Sequence, residues 1–208
     1  MWPALLAIAL VFNRPTPAPG QQSPQAFVDL AESQFAAGRI DESIATFDRL
    51  ARLVPSIGPA LWQRGVALYV AGRFNDCAAQ FAAFHAEDPR DLENAAWHFL
   101  CVARAQSVER ARASLPAAGP DQRVLRQQIY EMIEGRRTPE SLLQLAATSV
   151  DIVQFYAHLY VGLYLDASGD RAGAIEHLSA AASERYDAYG GFMNVVAKVY
   201  GQRLRTAP

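Results

Sequence analysis

From Gln25 onward, apolar residues recur every three or four positions, and Gly and Pro interrupt them at regular intervals. Such spacing predicts amphipathic helices, in which residues i, i+3, i+4 and i+7 share a face. Runs of β-branched residues, which would favour strands, are scarce. The interruptions themselves repeat: Gly38 and Gly72 lie 34 residues apart, as do Ile40 and Phe74, Phe47 and Phe81, and Pro55 and Pro89. Gln25 to Val54 and Pro59 to Asp88 therefore each read as helix, tight Gly turn, helix and Pro stop. A fixed period of this length marks stacked supersecondary units.

Later copies are less regular. A third unit from Leu92 carries Trp97, Phe99, Leu100, Val102 and Ala111, but Gln106 stands at the expected Gly turn. Pro116 to Pro120 then stops its second helix near Leu115. A fourth unit begins at Asp121, with Val124, Leu125, Gln128, Ile129 and Met132 on one face and Gly135 at the turn. Thr138-Pro139-Glu140 reads as an N-cap followed by Pro at the first helical position. In the fifth unit Gly162, Gly169, Ala174 and Leu178 restore the pattern, and Gly135 and Gly169 are again 34 residues apart. Phe192, Val195, Val196, Val199 and Tyr200 then predict a capping helix over the last apolar face. The expectation is an all-α solenoid, one domain over residues 24–208. Its repeats are placed at 24–57, 58–91, 92–119, 121–149 and 155–188, with the cap at 191–204.

In the two clear units, small residues (Ala31 and Ser43, Gly65 and Cys77), an aromatic (Phe47, Phe81) and a Pro (Pro55, Pro89) recur in the same register. This arrangement resembles the tetratricopeptide repeat, where small side chains let paired helices cross closely. More particular stretches are Leu61 to Tyr69 (LWQRGVALY), Phe84 to Asp91 (FHAEDPRD), Trp97 to Leu100 (WHFL) and Phe155 to Gly162 (FYAHLYVG). With the shortened third unit they resemble the NlpI-type bacterial envelope lipoproteins and related bacterial and plastid repeat proteins, over Gln25 to Arg185. That resemblance implies a non-enzymatic adaptor or scaffold that dimerises and docks a periplasmic protease with its hydrolase substrates. The lipid-attachment Cys of those proteins has no counterpart, so no lipid anchor is expected.

The repeat resemblance also implies which first-helix positions line a concave groove. By register these include Trp62, Val66, Tyr69, Leu100, Leu125, Ile129, Leu159 and Leu163, an apolar set suited to a helix or apolar peptide. Repeat domains that clamp a terminal carboxylate carry Lys, Asn and Arg where this chain has Val28, Glu32, Gln63, Glu93 and Trp97, which disfavours that ligand. Two kinds of occupant fit the groove. One is a protein or peptide partner; the other is the chain's own terminal helices or a second copy, which would make the role architectural.

Ahead of the repeats, Ala4 to Phe12 is an apolar run of nine residues. It falls short of the ~20 needed to span a bilayer, so no transmembrane anchor is expected. Followed by a Pro-rich stretch to Pro24, the run fits a cleaved export signal and linker over residues 1–23, and a periplasmic or secreted protein. The missing basic residues before it fit instead a misassigned start or a first helix in a cytoplasmic protein.

Charge narrows the partners. Nineteen basic residues, of which Lys198 is the only Lys, are interspersed with twenty-one acidic ones, so no basic face is built for nucleic acid. Cys77 and Cys101, both at interior helical positions, are expected as free buried thiols. The nearest approach to a metal set is His98 with Cys101, one helical turn apart, and two ligands do not make a zinc site. His158 and His177 can meet across the fifth helix pair without a recognisable nucleophile. Tyr156, Tyr160 and Tyr164 form a stripe that serves either as a contact platform or as packing. No phosphate loop, nucleophile elbow or HExxH pattern occurs, so neither enzymatic activity nor a cofactor is expected.

Overall fold

The first helix is started by Ser23, whose hydroxyl accepts from the Ala26 N–H, and by Pro24 at the first helical position. In the computed structural model, which describes residues 23–117, 119 and 123–206, this helix is α1 (Pro24–Ala36). It is followed by α2 (Ile40–Leu53), α3 (Trp62–Val70), α4 (Phe74–Glu87), α5 (Leu92–Ala105) and α6 (Val108–Ala113). Then come α7 (Val124–Glu134), α8 (Pro139–Ala147), α9 (Asp151–Ala167), α10 (Arg171–Ala181) and α11 (Phe192–Thr206). Among the described residues there is no strand. The Ala4–Phe12 run, most of the Pro-rich linker and the expected fourth-unit start at Asp121 lie outside the described residues.

The four turn glycines close their helices in one way. Gly38, Gly72, Gly135 and Gly169 all have φ between 75° and 89°, which a side chain would strain. The residue after each donates its N–H five residues back: Arg39 to Gln34, Arg73 to Leu68, Arg136 to Glu131 and Asp170 to Leu165. At Gln106 the backbone stays at negative φ, and the following α6 is only six residues long. Before α3 the chain runs through a 3-10 turn at Pro55–Ile57 and further turns, so that helix begins at Trp62 rather than near Pro59.

Helix pairs stack in sequence, and the small residues mark where they cross. A Cβ at Gly65 would stand 2.5 Å from the Phe81 ring, and one at Gly162 would stand 2.8 Å from Leu178 Cγ. The α1–α2 pair has its own cluster of Phe27, Ala31, Phe47, Leu50 and Leu61. A larger continuous core runs from Phe35 to Leu204. The array is a helical solenoid with one addition: α11 packs on α10 and also reaches back to α1.

Cys77 on α4 and Cys101 on α5 form a disulfide, which corrects the expectation of free thiols. Both are fully buried between α4 and α5, and their Cα atoms are 5.7 Å apart, inside the range a disulfide requires. The bond also removes Cys101 as a metal ligand beside His98.

A candidate binding recess beneath the capping helix

The concave path is closed by α11. Phe192 enters between Phe35 and Trp62, its ring centroid 4.9 Å from the first and 5.8 Å from the second. Tyr200 packs edge-on against Tyr69 at 5.3 Å. Val66, Tyr69, Leu100, Ile129, Leu159 and Leu163 are buried, Tyr69 against α11 and the α5, α7 and α9 positions in a region where those helices pack on one another, while Trp62 and Leu125 are partly buried. Repeat register placed these eight residues on one continuous face, but it carries no information about what lies on that face. A partner could touch Tyr69 only after α11 moved.

A polar latch holds that helix. Asp166, 4% exposed on α9, accepts from Tyr200 at 2.6 Å and from Tyr69 at 3.4 Å. Arg104 on α5 donates to its carboxylate at 3.3 Å and to its backbone carbonyl at 3.2 Å. A buried carboxylate is tolerated only with such compensation. Burial, reinforced by the Asp166 charge, pushes the Tyr200 phenol well above its ordinary value, so it stays a neutral donor. Sequence reading missed Asp166 and Arg104 because their roles depend on helices far apart in the chain.

What remains open is a recess of about 350 Å³ at the start of α11. Its walls are aromatic and apolar: Trp62 from α3, Phe84 from α4, Trp97 from α5, Tyr156 from α9, and Phe192 and Met193 from α11. Trp97 is fixed by stacking on Phe81 at 5.9 Å and by edge contacts with Tyr69 and Tyr160. Only Tyr156 of the tyrosine stripe faces this space. Tyr160 is buried and donates to Glu93 at 3.4 Å, whereas Tyr164 stacks on Phe99 and accepts from Arg112 at 2.8 Å.

Polar groups sit at one end. The Asp91 side chain caps α5 by accepting from the N–H groups of Glu93 and Asn94. Arg126 from α7 pairs with the carboxylate of Glu93 and lies 3.8 Å from Asp91. Burial pushes the Glu93 carboxyl above its usual range, and Arg126 opposes that shift. Next to them Asn94 is 2% exposed, and neither its amide nitrogen nor its amide oxygen has a hydrogen-bond partner. Leaving such a group unpaired costs about 1–3 kcal/mol, and native structures do this rarely. Asn94 lines the recess, so it offers amide N–H donors and a carbonyl acceptor to whatever enters.

A second depression of about 390 Å³ lies over the latch, between Phe74, Arg104 and the end of α11, but it is more open and its Tyr69 and Tyr200 hydroxyls are already committed to Asp166. His158 and His177 do meet across α9 and α10, with facing Nδ1 atoms 3.1 Å apart. The recess under α11 combines aromatic walls with the unpaired polar atoms of Asn94.

A tetratricopeptide repeat family model matches residues 25–56. The match covers α1, α2 and the turn after them, and the all-helical solenoid carries the same hairpin arrangement through the later pairs. Repeats of this type generally mediate protein–protein interaction. Among the described residues, no helix is long and apolar enough to cross a membrane.

Proposed function

We propose that the protein is a non-enzymatic adaptor that engages a partner protein through the recess at the start of α11. The occupant is an extended segment that buries one large apolar side chain among Trp62, Trp97, Tyr156 and Phe192, while its neighbouring backbone amide pairs with Asn94. The observation that carries this reading is the buried, unpartnered Asn94 amide lining an aromatic recess of about 350 Å³. Ligand sites commonly have this composition, with apolar walls and a few placed polar groups in ~300–1,000 Å³. Trp62 serves as an anchor in this reading, as a half-buried aromatic lining the recess.

An envelope location is part of the same proposal. The Cys77–Cys101 disulfide and the apolar Ala4–Phe12 run both fit an oxidising compartment outside the cytoplasm. A closer kinship with NlpI-type adaptors rests on the quoted sequence stretches alone. The test is selection of peptides from a displayed random library on the wild-type protein, followed by affinity measurement on Trp62→Ala. Selected peptides should share one large apolar residue, and their affinity should fall by at least about 2 kcal/mol in the variant. Peptides that bind Trp62→Ala as tightly as the wild type would place the interaction elsewhere.

A further inference from the structure

His158 and His177 form the most sharply defined pair of donor atoms outside the recess. Their Nδ1 atoms are 3.1 Å apart while the ring centroids are 5.3 Å apart. That difference equals two ring radii, so each nitrogen sits on the line joining the rings and the two lone-pair directions point at one another. The rings come from neighbouring helices, α9 and α10, whose backbones are locked together at the Gly162–Leu178 crossing one turn away. Both histidines are half-buried, so they are held by packing yet reachable from solvent.

A head-on pair of imidazole nitrogens accommodates two things. One is a single proton, shared as an N–H···N hydrogen bond. The other is a metal ion that prefers two ligands in a straight line. Ions that need four or six ligands are poorly served, because among the described residues no group of three or more His, Cys, Asp or Glu is arranged to hold a metal. A closed-shell monovalent ion of the copper group has the opposite preference, since two collinear donors satisfy it and imidazole is a good ligand for copper. With metal–imidazole bonds of ~2 Å, two collinear donors span ~4 Å, so the rings must part by a little under ~1 Å. Rotation of two half-buried side chains supplies that.

We propose that His158 and His177 form a linear two-coordinate site for Cu(I). The electrostatics suit a cation: Glu176 acts on His158 and Glu140, at the start of α8, acts on His177. Burial, followed by the neighbouring His177, also holds His158 below its ordinary value, which keeps it neutral and able to ligate near neutral pH. On binding, the proton on the bridging Nδ1 passes through solvent to Nε2 of the same ring. Both histidines end as Nε2–H tautomers, with no change of redox state and no net proton release. The ion would staple α9 to α10 on the side away from the recess walls. This site stands independently of the adaptor reading.

The test is anaerobic titration of the full-length protein with Cu(I) in competition with the chromophoric chelator bicinchoninate. The wild type should retain one ion per chain. His158→Gln and His177→Gln should each weaken retention by at least ~10-fold, because removing a ligand costs no less than removing a group that supports one. His85→Gln should leave it unchanged. X-ray absorption on the wild-type complex should show a two-coordinate nitrogen shell, a readout that does not depend on either variant folding. Failure to retain Cu(I), equal retention in His158→Gln and His85→Gln, or a sulfur shell in the absorption spectrum would each overturn the proposal.

Discussion

Gly162→Ala sets two well-known effects against each other. In the middle of a helix, replacing Gly with Ala is favourable by about 1 kcal/mol. At this position the new Cβ would lie 2.8 Å from Leu178 Cγ and 3.1 Å from the Leu178 backbone nitrogen. The backbone atom cannot rotate aside, and Leu178 is fully buried with α11 on its other flank. Relief therefore requires α9 and α10 to separate, an overpacking cost of about 1–3 kcal/mol. The net expectation is destabilisation by up to about 2 kcal/mol, or a Tm lower by up to roughly 8 °C for a chain of this size. Gly201→Ala is the matched control. Its Cβ would touch the same residue at an ordinary 3.4 Å, so the helical gain should survive and Tm should rise. Thermal and urea unfolding of both variants decide the matter. A Gly162→Ala protein more stable than the wild type would refute the close crossing and the repeat register that places it.

Three further outcomes follow from the buried polar groups and the disulfide. Tyr200→Phe removes the 2.6 Å hydrogen bond to Asp166 and should cost about 1.5–3 kcal/mol, with amide exchange rising first in α11; unchanged exchange there would deny the latch. Reduction of Cys77–Cys101, which closes a loop of 24 residues, should cost about 3 kcal/mol on loop entropy, and coincident melts with and without reductant would show that the bond does not form. His98 is held below its ordinary 6.5 by burial and then by His85, and His158 by burial and then by His177, with Glu176 opposing. Both therefore bind protons more weakly folded than unfolded, so their contribution is present above about 6.5 and is lost as pH falls through the lowered folded values. Unfolding free energies at pH 7.5 and 5.5 should show that fall, and it should shrink in a His98→Gln, His158→Gln double variant.

Much of the fold was legible because its determinants are local. A positive φ at Gly38, Gly72, Gly135 and Gly169 and N-caps at Ser23, Thr138 and Asp170 are written in single residues or short motifs. What occupies the groove, a partner or the chain's own terminal helix, stayed open in the sequence for the opposite reason. Repeat register places Trp62 and Tyr69 along the groove, yet only tertiary structure shows that Phe192 packs on the first and Tyr200 on the second. Likewise Cys77 and Cys101 are 24 residues apart, and their pairing depends on how closely α4 and α5 approach. Asn94 left no trace in the sequence, since an unpaired amide is defined by what fails to reach it. Trp62 stood out in the sequence, because a large aromatic at a first-helix position is conspicuous by type as well as by register, and it lines the recess.

The most direct test of the recess is Asn94→Leu, measured for stability and for binding on one sample. Leu approximates the branched shape of Asn and removes two buried polar atoms that have no partner, so folding should be unharmed or strengthened by up to about 1–3 kcal/mol. A group kept for recognition at the expense of stability predicts opposite movements in the two assays. Asn94→Leu should melt at or above the wild-type temperature while losing at least ~10-fold in affinity for library-selected peptides. A variant that melts lower, or one that binds those peptides as the wild type does, would contradict the assignment of this recess as the partner site.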